Sequence, residues 1–164
     1  MFDVGDPVVH PIRGAGVVTD IEELQRHDGN KQYYKIKLLS QIQTTLMIPI
    51  KVAKARGLRH AIRQSNLKQI WRVLRSAPEE LPANYKKRYA VLEAKLQTGD
   101  PLQIAEVVRD MAWRQEQEGS LNTIGKRKYN KGIRLLGGEI AATQGADLED
   151  GEEQVMHELW ESLS

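Results

Sequence analysis

The 164-residue chain contains no cysteine. Disulfide staples and thiolate chemistry are therefore excluded, and the composition fits a reducing, cytoplasmic setting. No run approaches the roughly eighteen apolar residues needed to span a membrane as a helix. The opening Met1-Phe2-Asp3-Val4-Gly5-Asp6 has neither the basic nor the apolar region of a signal peptide. The histidines His10, His27, His60 and His157 lie far apart, without the spacing that places two on one helix face, so no metal site is expected. There is no Gly-x-Ser-x-Gly elbow and no Walker loop. Gly14-Ala15-Gly16 is followed by a strand pattern rather than a helix, which makes it turn chemistry and not a dinucleotide fingerprint. Asp147, Glu149, Asp150, Glu152 and Glu153 read as a solvated acidic run, not as paired catalytic carboxylates. Nothing in the residues argues for an enzyme, a cofactor or a small-molecule substrate.

What the chain does have is a lopsided charge distribution. Residues 1–50 carry five Lys/Arg and six Asp/Glu, residues 51–138 nineteen and eight, and residues 139–164 none and eight. A middle segment this basic is a candidate surface for phosphates, and equally an ordinary solvated helical exterior.

The hydrophobic period changes along the chain. Residues 8–10, 17–24, 33–38 and 44–49 read as short strands, separated by Pro11 to Gly16 turn chemistry and by the Asp28-Gly29 hairpin signal. Residues 51–60 read as a linker with one helical turn ending at Gly57. From there the period is 3.6. Helices are expected over about 65–76, then to Thr98, from Asp100-Pro101 to Gly119, from Asn122 or Thr123 to about Ala142, and from about Asp150 onward. Gly137-Gly138 marks either close helix packing or a break. Trp71 is expected in the core joining the two halves. Trp113, off its helix's apolar stripe, either packs on another helix or is partly exposed. The fold class is α+β with two domains: residues 1–60 a small Tudor- or SH3-like β-barrel, residues 61–164 an all-α domain with an acidic C-terminal tail.

The segment around which the basic region is organised is Leu81-Pro82-Ala83-Asn84-Tyr85-Lys86-Lys87-Arg88-Tyr89. It sets aromatic rings beside three consecutive cations near a helix start, and Lys126-Arg127-Lys128 repeats the triplet near another. Cations supply charge for phosphates and an exposed ring supplies a flat group for bases. Against that, Tyr85, Tyr89, Leu92 and Leu96 are spaced as one helix face, which by itself places Tyr85 in the core.

Val4-Gly5-Asp6, Val8-Val9-His10-Pro11 and Gly14-Ala15-Gly16-Val17-Val18 resemble the opening of the CarD/CdnL family of bacterial transcription regulators. Met47-Ile48-Pro49-Ile50, Gly57-Leu58-Arg59, Val73-Leu74-Arg75, Pro82 to Tyr89, Gly99-Asp100 and Ala105 to Asp110 continue the likeness. The resemblance implies a Tudor-like N-terminal module, shared with transcription-repair coupling factors, that binds the RNA polymerase β subunit partly by a strand edge. Its candidate contacts are Arg26, Met47, Ile48 and Pro49. The resemblance also implies a helical domain that contacts promoter DNA at the upstream edge of the melted bubble. There Tyr85 stands where the family usually has a tryptophan wedge, and Lys87 and Lys126 stand at phosphate-contacting positions. Charge and proximity add Lys86, Arg88 and Arg127. Met47 replaces a basic residue of some members, and Ala90 replaces another. The alternatives are a polymerase-bound adaptor with Tyr85 buried and no DNA contact, and a free-standing DNA-binding protein.

Overall fold

The computed structural model describes residues 1–163. The chain opens with four strands, β1 (Pro7–His10), β2 (Gly14–Arg26), β3 (Gly29–Leu38) and β4 (Thr45–Pro49). A helical turn, α1 (Ile50–Ala53), and a two-residue strand, β5 (Arg59–His60), follow. After a 3-10 turn (Gln64–Asn66) come α2 (Leu67–Arg75), α3 (Tyr85–Gln97), α4 (Pro101–Glu118), α5 (Thr123–Gln144) and α6 (Leu148–Leu163). The architecture is α+β, a five-stranded antiparallel sheet followed by helices.

The strand order is β4-β3-β2-β1-β5, with β4 on one edge. Alternation in β3 sends Tyr34, Ile36 and Leu38 into a core with Val8, Val18 and Ile48. Phe2 stands edge-on to Tyr34, ring centroids 5.5 Å apart. Gly57, at φ 94°, makes the turn after α1 that no side chain favours. The expected linker then enters the sheet instead of leaving it: Val8 pairs with His60 and Val9 with Arg59. Two residues of strand carry no readable period, which is why the sequence gives no sign of β5.

Helices α3, α4 and α5 each start on a side-chain cap. Asn84 accepts from Lys87 N, Asp100 from Leu102 N ahead of Pro101 at the first position, and Asn122 from Gly125 N. The Gly137-Gly138 pair does not break α5. It lets α6 approach closely: a Cβ on Gly151 would lie 1.9 Å from the Gly137 carbonyl oxygen. The helical core, including Ile70, Leu74, Leu92, Val108, Leu136 and Val155, forms a cluster distinct from that of the sheet. Trp71 packs on the helical cluster, half buried, and does not join the halves as expected. Its 3.6-spaced neighbours place it on α2, and α2 lies against α4 and α6 rather than the sheet.

The join is polar as well as apolar. α5 lies against β1 and β2. Arg59 on β5 forks onto buried Glu139 of α5 at 2.8 and 2.7 Å, and donates to the Gly99 carbonyl at 2.7 Å. Glu139 also accepts from Ile62 N at 2.7 Å, and Thr143 donates to the Ile62 carbonyl. The hydrogen-bonded Glu139 carboxylate holds the Arg59 guanidinium charged even more firmly than usual, against the opposing pull of burial. One ion pair thus ties the sheet, the chain leaving it, the α3–α4 turn and α5 together.

Candidate functional site

The two basic triplets lie near the N-termini of α3 and α5, and these two helices are linked. Asn122, which caps α5, donates through its side-chain amide to the Tyr89 hydroxyl on α3. Lys128 of α5 pairs with Glu93 of α3 at 2.7 Å, which holds the Glu93 carboxyl below its usual range. Two helix starts, each carrying partial positive charge, are therefore set side by side. Neither has an acidic residue in its first turn to offset that charge.

Each triplet divides its labour the same way. Lys86 and Lys87 are exposed, and so are Lys126 and Arg127. The third cation of each turns toward the protein. Lys128 is spent on Glu93. Arg88 is 7% exposed, donates to the carbonyls of Pro82 and Ala83 at 3.1 and 3.2 Å, and lies 5.4 Å from the Tyr89 ring centre. Arg88 therefore does not join the exposed cations with which it was grouped. It holds the chain that leads into α3. The spacing does carry this signal: Arg88, Leu92 and Leu96 form an i, i+4 row and are the buried residues of α3.

That row also settles where Tyr85 goes. The buried stripe passes through Arg88 and leaves Tyr85 55% exposed, with its ring edge-on to half-buried Tyr89, centroids 6.1 Å apart. The periodicity argument for a core Tyr85 fails because it takes the wrong row, skipping Arg88 on account of its charge. Tyr85, four exposed cations and two helix starts are thus gathered by α3 and α5, an arrangement suited to anionic, stackable ligands.

The other candidate residues lie on or near the β4 edge. Met47 is half buried and directly opposite Lys35. Ile48 is 3% exposed and belongs to the sheet core, so only its backbone is offered at the edge. Pro49 pairs with Tyr33, and the Arg26 guanidinium lies 5.6 Å from the Tyr33 ring centre. Arg26, although remote in sequence, is thereby brought to the end of β4.

Comparison with known proteins finds two family models along the chain. Residues 2–62 match the model of the CarD-like/TRCF RID domain, and residues 69–156 match that of the CarD C-terminal domain. The chain belongs to the CarD family. It is 31% identical over 145 residues to YdeB of Bacillus subtilis (strain 168), whose name proposes it as a transcription factor. The alignment covers 88% of this chain and 94% of that relative. CarD proteins are transcription factors rather than enzymes, and this one carries the family's RNA polymerase-interacting domain. No helix among the described residues is long and apolar enough to cross a membrane. Residues that the sequence pattern did not single out in this CarD protein include Lys35, Tyr33 and the exposed Ile124 beside the second triplet. Alternation places Lys35 on the same sheet face as Met47, and that register becomes legible only once strands are paired.

Proposed function

We propose that this CarD-family protein docks on the RNA polymerase β subunit through the β4 edge and stabilises the open promoter complex. Tyr85 acts as a minor-groove wedge at the upstream edge of the bubble. Lys86, Lys87, Lys126 and Arg127 take the flanking phosphates, and Arg88 holds the wedge loop. On the polymerase side, Arg26, Met47 and Pro49 present side chains, Ile48 presents backbone, and Lys35 supplies the cation that Met47 lacks. The observation that carries the reading is the exposure of Tyr85 together with four exposed cations that form no ion pair among the described residues, at two joined helix starts. A buried Tyr85 would favour an adaptor without DNA contact; its exposure supports the DNA-contacting reading instead.

The mechanism is differential binding. Unstacking a base step costs a few kcal/mol, and a factor that binds only the distorted form shifts opening by its own affinity difference. A difference of about 1.4 kcal/mol changes the open-to-closed ratio tenfold. The test is the lifetime of competitor-challenged open complexes with and without the protein. The reading predicts a longer lifetime with it. An unchanged lifetime on every promoter tried defeats it.

A further inference from the structure

An acidic groove about 580 Å³ in volume lies between α4 and the 78–83 segment that leads to Tyr85. Trp113 forms part of its wall and is 44% exposed, a large ring left uncovered on a helix that buries most of its apolar residues. Glu79, Glu80 and Asp110 line the same groove, with Arg114 as the one cation among the lining side chains. Arg114 is engaged by Glu118 at 2.9 Å. Glu80 is exposed and forms no ion pair among the described residues, while Glu79 reaches Lys95 and Arg109 only at 3.8 and 4.0 Å.

Asp110 supplies the second, independent observation. It is 2% exposed, and its Oδ1 accepts from Arg109 Nε and from Glu79 N at 2.8 and 3.0 Å. Its Oδ2 has no hydrogen-bond partner among the described residues. Asp110 is already paired with buried Arg109, whose Nη2 also lacks a hydrogen-bond partner, so one donor and one acceptor stay unmet behind the groove at a cost in free energy. Trp113 lies one turn along α4 from Asp110, on the same face.

We propose that this groove docks an arginine side chain of a partner protein. A guanidinium is flat enough to stack on the Trp113 indole while its N–H fork reaches carboxylates. An ammonium ion matches that shape less well, because it is compact and strongly hydrated. Nucleic acid is disfavoured as the occupant, since the exposed carboxylates of Glu79 and Glu80 face any phosphate that enters. This inference goes beyond the DNA-contact reading and does not depend on it.

The test is an NMR titration of the ¹⁵N-labelled full chain with the peptide acetyl-Gly-Arg-Gly-Arg-Gly-amide, following the three tryptophan indole N–H resonances. The proposal predicts a saturable shift of Trp113 with little movement of Trp71 and Trp160. The same peptide with citrulline for arginine should leave Trp113 in place, and a lysine peptide should bind more weakly. Glu80→Gln, at an exposed position that leaves the fold intact, should weaken binding about threefold. Equal shifts at all three indoles overturn the proposal, because they mean binding that is not specific to this groove. So does an equal response to the citrulline peptide, or a Trp113 that responds to duplex DNA and not to arginine.

Discussion

Arg59→Met tests the join between sheet and helices. In the native protein Glu139 is 2% exposed and accepts three hydrogen bonds, two of them from Arg59. The substitution keeps much of the aliphatic volume but leaves a buried carboxylate with the Ile62 N–H as its only remaining donor. Removing one partner of a buried ion pair costs about 3–5 kcal/mol. The Arg59 side chain is 36% exposed, so water enters the vacated space and the lower end applies, about 3 kcal/mol. With a urea dependence of about 2 kcal/mol/M, the midpoint falls by about 1.5 M. The double variant Arg59→Met, Glu139→Leu removes the stranded charge and should recover a large part of that loss. Equilibrium urea unfolding, followed by circular dichroism, checks both values. A midpoint shift under about 0.5 M for the single variant, or a double variant worse than the single, refutes the reasoning.

Three further outcomes are expected. If Lys87 and Lys126 each meet a phosphate, replacing either with Gln lowers the slope of log affinity against log salt on promoter DNA by about one; an unchanged slope removes that residue from the interface. Gly151→Ala forces a methyl group against the Gly137 carbonyl, and overpacking of about 2 kcal/mol lowers the melting temperature by about 6 °C, readable by calorimetry. His10 accepts from Ile12 N and Arg13 N through Nδ1, and burial, with Arg13 adding to it, depresses its pKa below the usual 6.5. The unfolded chain therefore takes up the proton first. The stability linked to His10 is complete above 6.5 and is lost as pH falls through that value, so His10→Gln should flatten the pH dependence of unfolding below it.

The helices were legible because their ends are chemically marked. Asn122, Asp100-Pro101 and Gly119 each stand where a cap is needed, and a cap acts through its own few neighbours. The Asp28-Gly29 turn and the alternation of β3 were equally local. What sequence missed depended on partners far along the chain. β5 exists because β1 is there to pair with it, and Gly137-Gly138 continues a helix because Gly151 packs onto it. The candidate site was half legible. Both triplets announced themselves by charge, yet charge count cannot tell Lys87, which faces solvent, from Arg88, which caps carbonyls inside. The row Arg88, Leu92, Leu96 held that information, masked by the habit of reading arginine as surface. Lys35 opposite Met47 and Trp113 beside Asp110 emerge only from register and from the fold of the 78–83 segment.

The most direct measurement of the account is open-complex lifetime across substitutions of Tyr85, at protein concentrations that saturate polymerase. Stacking of a base on an aromatic side chain is worth about 1–3 kcal/mol, so Tyr85→Ala should shorten the protein-extended lifetime about tenfold while polymerase binding is unchanged. Tyr85→Trp, with more ring area, should match or exceed the native protein. If the alanine variant binds polymerase and extends the lifetime as well as the native protein does, Tyr85 is not the wedge.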